Sequence, residues 1–361
     1  LRKRTRVGRR LDLALSRIAD FSARRPLKVV LTAALITGLC VTAGMGLEVN
    51  NYLLGIYHDD HPTAKATRLA EEKLEGLVRM QISLEGGKGD MKRPDVLKQV
   101  DALQTWLEQQ PGVTASLSMT DFIKEMHRAV MGSRALPDSR QAVAQLLLMA
   151  EGETGLERHV NFDYSRARVE VRLADVGAMK YLELVDRTRG RMAEKFTASG
   201  VQARVTGTSM IAYRGINRLV KDLLMSLSLA LLVIGLVLAG LFRSLRIGLV
   251  SLLPNTIPLA VGLGSMRLLG MMLEPVTVMI FSIALGIAVD DTIHFFVRYR
   301  EEVGKGKDPL EAARRTLGTA GRAMVFTSVL LVGGFTVTLS SSFPGTVRFG
   351  TLGIIILLSL I

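Results

Sequence analysis

Uncharged, apolar stretches alternate with charged segments along this chain of 361 residues. A transmembrane helix needs about 20 mostly apolar residues to cross roughly 30 Å of hydrocarbon. Four stretches meet that length, namely 29–47, 223–242, 247–266 and 323–346. Two shorter ones follow the same pattern: 275–289 runs without charge into a pair of aspartates, and 349–361 reaches the end of the sequence. The pattern predicts six transmembrane helices, the last incomplete.

The distribution of positive charge orients these helices. The formal net charge is +13, but the arginines and lysines flank the apolar stretches, in 1–28, 243–246 and 298–322. Basic residues are retained on the cytoplasmic side, so these three segments are predicted to be cytoplasmic and 48–217 to lie on the periplasmic or extracytoplasmic side. We predict a multi-pass protein of the inner (plasma) membrane, and the charge does not indicate a nucleic-acid partner.

Between the first two apolar stretches, strand and helix patterns alternate. Apolar residues recur at every second position in 80–84, 113–117, 169–173 and 201–205, and at helical spacing in 96–107 and 182–196. Helices are also expected at 121–131 and 139–149, and 160–164 is expected to pair with the strand after it. Two βαβ units in series predict an α+β ferredoxin-like domain.

The predicted fold class is thus an α-helical membrane bundle of six transmembrane helices, with one extracytoplasmic ferredoxin-like domain inserted after the first helix. Its predicted parts are a cytoplasmic basic linker, a transmembrane helix, the extracytoplasmic domain, and a five-helix bundle that includes a cytoplasmic amphipathic helix at about 308–318. Their bounds are 1–28, 29–47, 48–217 and 218–361. We expect the sequence to be a piece of a longer protein, because it lacks an initiator Met and stops inside a predicted helix.

Several motifs with a possible chemical meaning do not support an enzyme. His58 and His61 form a short hydrophilic run without helical His-x-x-x-His spacing, so a solvated turn is favoured over a metal site. Gly86-Gly87-Lys88-Gly89 lacks the full phosphate-loop pattern. No nucleophile constellation is present, and Cys40 alone forms no intrachain disulfide. We predict no enzyme activity, no metal and no cofactor.

The adjacent carboxylates Asp290 and Asp291 are the most informative feature of the membrane half. An ionised side chain at the centre of a transmembrane helix costs roughly 2.5–3.5 kcal/mol on insertion scales, so acids there usually face a polar pathway or a partner. Two neighbouring carboxyls do not both ionise easily, because desolvation and mutual repulsion oppose it. The pair is predicted to carry protons.

Two further positions share the helix face of Asp290. Gly286, four residues before it, offers a site where a neighbouring helix can approach closely. His294, four residues after it, is in range of either carboxyl and is predicted to extend the proton relay toward Arg298. The alternative is that His294 and Asp291 are interfacial groups without a role in transport.

Thr327 and Ser328, early in the fifth predicted helix, are candidates for supporting the relay with their hydroxyls. The alternative for both is the common one for Ser and Thr in membrane helices, a hydrogen bond to their own backbone.

The order of one membrane helix, a large external domain and five more helices, with Gly286-x-x-x-Asp290-Asp291 in the fourth, resembles one half of a resistance-nodulation-division (RND) superfamily transporter. Other segments resemble its MMPL-like, hydrophobe-exporting branch, whose membrane bundle is related to sterol-sensing domains. These are 243–246, Pro254-Asn255-x-x-Pro258, 285–300, a turn at 321–323, Thr327-Ser328, Gly334-Phe335 and Phe349-Gly350.

The resemblance implies proton-driven export of a hydrophobic or amphiphilic molecule such as a lipid, with Asp290 and Asp291 as relay acids and 48–217 as a porter domain. It also implies a partner, the other half of the same transporter. The sequence leaves the substrate, the coupling ion and a homo-oligomeric state open. The rival hypothesis is a sterol-sensing-like lipid sensor or scaffold that does not pump.

Overall fold

The computed structural model of the protein describes residues 6–47, 50, 52, 57–150 and 155–360. Within these ranges the chain is mostly helical, with one small antiparallel sheet. It divides into two compact units, Asn50–Asn217 and the combination of Leu1–Val49 with Arg218–Ile361. The first five residues of the predicted linker and the predicted domain boundary at residue 48 lie outside the described residues.

The helices and strands follow one another in this order: α1 Arg6–Arg24, α2 Pro26–Gly44, α3 Pro62–Lys73, β1 Val78–Glu85, α4 Pro94–Glu108, β2 Val113–Leu117, α5 Met119–Met131, α6 Arg140–Met149, β3 Arg166–Leu173, α7 Ala178–Phe196, β4 Gln202–Thr206, α8 Thr208–Phe242, α9 Leu245–Leu268, α10 Pro275–Gly304, α11 Pro309–Thr316, α12 Arg322–Thr338 and α13 Pro344–Leu358.

The sheet of the Asn50–Asn217 unit has the order β2-β3-β1-β4, and all of its pairs are antiparallel. Ile82 of β1 lies opposite Val169 of β3 and Val205 of β4, and all three side chains are buried. β3 therefore separates the parallel strands β1 and β2, which is the connectivity of a split βαβ unit.

Alternation explains which face of the sheet is covered. Val78, Met80, Ile82 and Leu84 of β1 are at most 2% exposed, and successive strand residues point to opposite faces. They form one core with the apolar sides of α4 and α7, including Leu107 and Tyr181. One face of the sheet thus carries the helices, and Arg79 and Glu170 pair at 3.1 Å on the polar face.

Two stretches connect β2 to β3 without adding a strand to the sheet. Helix α5 begins two residues earlier than its apolar pattern predicts, because Ser118 and Asp121 form a capping box at its start. Helix α6 is capped by Ser139, whose hydroxyl accepts a hydrogen bond from Ala142 N. Val160 forms a single bridge with Ala167 at the start of β3.

In the other unit, each of the six apolar stretches coincides with a helix. Among the described residues, four helical segments are long and apolar enough to cross a membrane, and Pro344–Leu358 is a shorter apolar helix. The four are Pro26–Gly44, Thr208–Phe242, Pro275–Gly304 and Pro309–Thr338. The count of six membrane crossings stays a prediction.

Small residues allow close helix contact in this unit. A Cβ on Gly264 would come within 3.0 Å of the backbone and side chain of Cys40, so α9 and α2 pack with almost no space between them. Behind this contact, α9, α10 and α13 share a core that includes Phe281, Leu285 and Ile356.

The turn predicted at 321–323 is wrong. A π-helical turn, Leu317–Gly321, joins α11 to α12, so Pro309–Thr338 is one continuous helical segment. The hydroxyls of Thr316 and Thr319 donate hydrogen bonds to the backbone carbonyls of Ala312 and Arg315. Backbone carbonyls next to the π-helical turn therefore have hydrogen-bond donors, although this turn is wider than an α-helical one. The amphipathic helix predicted at about 308–318 is therefore the start of that segment, capped by Asp308.

Candidate functional site

Helix α10 carries the candidate site, and its start is well defined. Pro275 occupies the first helical turn, and Glu274 and Thr277 form a reciprocal capping interaction across it. Glu274 also pairs with Arg348 at the start of α13, with Nη1 and Oε1 2.5 Å apart. These contacts fix the end of α10 that lies opposite its charged carboxyl end.

The helix has two distinct faces. Residues of the buried face belong to the core shared with α9 and α13. The opposite face is exposed over about five turns, and we call it the α10 stripe. It consists of Met279, Ile283, Gly286, Asp290, His294 and Val297.

Asp290 and His294 lie together on the α10 stripe. Asp290 Oδ1 is 3.4 Å from His294 Nε2, and the two side chains are 71% and 70% exposed. The i, i+4 spacing expected from the sequence thus brings the carboxylate and imidazole into an ion-pair geometry. A Cβ built on Gly286 would meet nothing within 4 Å, so this structure places no helix against that position.

Asp291 faces in a different direction. It is only 8% exposed, and its Oδ2 has no hydrogen-bond partner in the described part of the chain. Consecutive residues on a helix are about 100° apart, which explains why one carboxyl of the pair is exposed and the other buried. A buried polar atom without a partner is rare in native proteins, so this carboxyl oxygen calls for an explanation.

The next residue, Thr292, connects α10 to α9. Its hydroxyl lies 2.9 Å from Asn255 Oδ1 and 2.8 Å from Ala288 O of its own helix, and Asn255 Nδ2 donates to Ser251 O at 2.8 Å. Asn255 and Ser251 are fully buried. Sequence reasoning did not identify Asn255 as a site residue. An amide side chain inside an uncharged stretch, between Pro254 and Pro258, does indicate a buried hydrogen bond.

The structure does not bring Thr327 and Ser328 to the carboxyls by any recorded hydrogen bond between described residues. The Thr327 hydroxyl is exposed and donates to Ala323 O and Met324 O of its own helix, at 3.2 and 2.9 Å. Ser328 is buried, with 2% exposure. Their support of the relay stays a prediction.

Toward its carboxyl end, α10 carries a compact charged cluster. Glu302 is 3% exposed and lies 3.1 Å from Arg298 and 2.9 Å from Lys305. A carboxylate so deeply packed needs this pairing. The cluster begins one turn after His294, so the α10 stripe ends in an ionic region.

The hydrophilic run that contains His58 and His61 lies in the Asn50–Asn217 unit. His61 Nδ1 accepts a hydrogen bond from Thr63 N and caps α3, while its ring stacks on Tyr57 with centroids 4.3 Å apart. The contacts of this imidazole are therefore those of a helix cap.

Comparison with known proteins identifies similarity over most of the chain and, to other proteins, over a short part of it. The model of the MMPL family matches residues 57–361. A protein named as a membrane protein of Methanocaldococcus jannaschii is 24% identical over 345 residues, which cover 93% of this chain and 87% of that protein.

The short matches are to exporters. The trehalose monomycolate exporter MmpL3 of Mycobacterium tuberculosis is 48% identical over 50 residues, and that of Mycolicibacterium smegmatis is 46% identical over 50 residues. In both cases the matched segment covers 14% of this chain and 5% of the exporter.

Proposed function

The chain belongs to the MMPL family, and we propose on that basis that it is a proton-driven exporter of hydrophobic or amphiphilic molecules, with lipids as the favoured substrate class. The short matches to proteins named as trehalose monomycolate exporters support a lipid. We place the protein in the inner membrane, with residues 48–217 as an extracytoplasmic porter domain, because the basic segments indicate the cytoplasmic side.

The observation that carries the proton coupling is the buried carboxyl of Asp291. The Oδ2 atom of Asp291 lacks a hydrogen-bond partner in the described residues. Asp290 and His294 are on the same helix, and Asp290 Oδ1 lies 3.4 Å from His294 Nε2. A passive lipid receptor has no need of acids at this position, since each costs free energy in the membrane. A group that gains and loses a proton during transport does need one.

In the proposed cycle, a proton passes between the exposed pair Asp290 and His294 and the buried Asp291. Neutralising Asp291 removes a charge from the packed interior of the bundle, and releasing the proton restores that charge. The two charge states favour different helix packings. Each proton contributes about 2.3 kcal/mol per 100 mV of membrane potential, and a few kcal/mol are enough to redistribute two conformations.

We further propose that the chain is one half of a two-half transporter. The α10 stripe contains a carboxylate and an imidazole at 71% and 70% exposure, within a helix apolar enough to cross the membrane. Charged groups in such helices usually face a protein interior. A corresponding helix of the second half, packed over Gly286, would enclose Asp290 and His294.

The test uses inside-out membrane vesicles that contain the full-length transporter and a fluorescent lipid analogue. An imposed proton gradient should drive transfer of the analogue, and Asp290→Asn or Asp291→Asn should abolish that dependence. Glu301→Gln is the matched control, because Glu301 lies on α10 and is 51% exposed in a surface ion pair with Arg298.

Lipid binding that persists without any gradient-dependent transfer in the unaltered protein would instead favour the lipid sensor.

A further inference from the structure

Helix α1 lies immediately before the first membrane helix and has two contrasting faces. On one face Leu15 and Ala19 are 7% and 3% exposed, and they belong to the side that packs on α11 and the π-helical turn. Asp12 pairs with Arg322 at 3.4 Å, and Asp20 pairs with Arg314 at 2.5 Å. Two ion pairs and an apolar contact therefore fix the rotation of α1.

The opposite face combines apolar and basic side chains. Leu13, Ile18 and Phe21 are 55%, 50% and 55% exposed, and Arg17 and Arg24 are exposed among them. At about 100° per residue these five positions fall within an arc of about 140°. Large apolar and arginine side chains on one exposed arc are typical of a helix that lies in the membrane interface.

This arc contains a recess with a volume of 390 Å³, which is lined by Arg17, Asp20, Phe21, Arg24 and Arg25. The carboxylate of Asp20 is already paired with Arg314. The ion pairs between described residues do not include Arg17, Arg24 or Arg25. The recess thus presents three guanidinium groups whose charge is not balanced by a described acid, and guanidinium is well suited to phosphate oxygens.

The position of the recess in the chain identifies its occupant. Arg25 has a non-helical backbone conformation, and α2 begins at the next residue, Pro26. Helix α2 is apolar enough to span the membrane. The recess therefore lies within a few residues of the hydrocarbon boundary, where phospholipid phosphates are concentrated. Acidic phospholipids complement its charge, and acyl chains complement the apolar side chains.

We propose that α1 is a binding site for anionic phospholipids, in which Arg17, Arg24 and Arg25 hold the phosphate and Leu13, Ile18 and Phe21 enter the acyl region. The site is separate from the proton relay. The inference does not depend on transport, and it holds for a pump and for a sensor.

Native mass spectrometry of the purified protein in a non-ionic detergent tests the proposal, with phosphatidylglycerol and phosphatidylcholine of equal chain length as probes. The unaltered protein should bind phosphatidylglycerol at least tenfold more tightly. The triple variant Arg17→Ala/Arg24→Ala/Arg25→Ala should lose that preference, since each basic residue near a membrane surface is worth roughly a fivefold change in affinity. The triple Arg→Lys variant should keep most of it.

The matched control removes the same charge elsewhere. Arg166, Arg189 and Arg191 are surface arginines of the Asn50–Asn217 unit, with side chains 68%, 40% and 38% exposed, and their triple Ala variant should bind both lipids normally. An unchanged preference after loss of Arg17, Arg24 and Arg25 would overturn the proposal. Full displacement of the lipid by inorganic phosphate at millimolar concentration would also overturn it, because the site would then bind an inorganic anion only.

A second measurement locates the helix in the bilayer. Cys40 is the single cysteine of the chain, so Cys40→Ser supplies a background for one nitroxide label. A label at Phe21→Cys in lipid nanodiscs should collide more often with oxygen than with a water-soluble nickel chelate. A label at Glu194→Cys, where the native side chain is 71% exposed, should show the reverse. Identical behaviour of the two labels would contradict the interfacial placement of α1.

Discussion

Thr292 shows how a single hydroxyl can set the direction of the neighbouring acid. It bonds to Asn255 on α9 at 2.9 Å, and this contact holds one side of α10 against the bundle. Asp291 precedes it and is drawn to the buried side, whereas Asp290 is left on the α10 stripe. The polar contact thus adds to the apolar core in holding this side of α10 against the bundle.

Thr292→Val should therefore lower the free energy of unfolding by about 1 kcal/mol, because the buried hydroxyl that Asn255 Oδ1 shares with Ala288 O is lost. Thermal unfolding of the purified protein measures the change. Thr327→Val is the matched control and should stay within about 0.5 kcal/mol, since Thr327 bonds only to its own helix. Equal stability of the two variants would show that the interhelical bond contributes nothing.

Asp163 gives a pH dependence outside the membrane helices. Hydrogen bonds from the hydroxyl and the backbone N–H of Ser165 hold the pKa of Asp163 below its usual value of 3.8. Because the folded pKa is lowered, the stabilisation is complete above the usual value and is lost as the pH falls through the lowered pKa.

The turn at 161–165 is bonded to the loop after β1, where Gly89 N donates to Asp163 O. Hydrogen exchange of the Gly89 and Ser165 amides, corrected for the intrinsic pH effect, should accelerate as Asp163 is protonated. In Asp163→Asn the protection should be weak at neutral pH and independent of acidification. A pH response that survives in the variant would assign it to another group.

At the residue scale the sequence predicted the candidate groups of the relay, whose role stays a prediction, but not the directions of their side chains. The spacing of Gly286, Asp290 and His294 placed them correctly on one side of a helix. Which side faces the bundle depends on partners from α9 and α13, such as Asn255, and these come from distant parts of the chain. No local pattern around Asp291 contains that information.

At the scale of elements, the capping of α5 is a strong local determinant. The Ser118 hydroxyl accepts a hydrogen bond from Thr120 N and donates to Gln104 Oε1 at 2.7 Å. Gln104 is 4% exposed. Ser118 thus caps one helix and, together with the Thr120 hydroxyl at 2.6 Å, donates to a buried amide of another, α4.

Ser118→Ala should destabilise the protein by about 2 kcal/mol, since it removes a helix cap and one of the two hydroxyl donors to a buried amide. Ser139→Ala, at the start of α6, removes a cap that is exposed and should cost about 1 kcal/mol. Chemical denaturation of the two variants measures the difference. A cost for Ser118→Ala no larger than that for Ser139→Ala would exclude a contribution from Gln104.

Elements with regular apolar spacing were the easiest to predict. The strands at 80–84 and 169–173 and the helix at 96–107 all lie within β1, β3 and α4. Helix α8 was predicted only from residue 223, because Arg214, Arg218 and Lys221 interrupt its apolar pattern, yet it begins at Thr208. The continuity of α11 with α12 was missed since a π-helical turn has no simple sequence signature.

At the scale of the whole molecule, the proposed second half of the transporter would pack on the exposed α10 stripe. Gly286→Leu adds a side chain where a Cβ meets nothing within 4 Å. It should not destabilise this chain, because leucine favours a helix more than glycine does, but it should reduce gradient-driven lipid transfer at least tenfold by separating the proposed halves.

Gly333→Leu is the control for that substitution, because a Cβ at Gly333 also meets nothing within 4 Å and the residue lies on α12. Gradient-driven lipid transfer is measured for both variants, and Gly333→Leu should transfer lipid normally. Normal transfer by Gly286→Leu would show that no helix of a second half packs at this position.

The central claim is that proton movement and lipid movement are one process. Proteoliposomes that contain a pH-sensitive dye and a fluorescent lipid analogue measure both at once. The account predicts that the two signals appear together under a proton gradient, disappear together in Asp291→Asn, and remain in Glu301→Gln. Lipid transfer that continues at the same rate in Asp291→Asn, or without any proton signal, would contradict it.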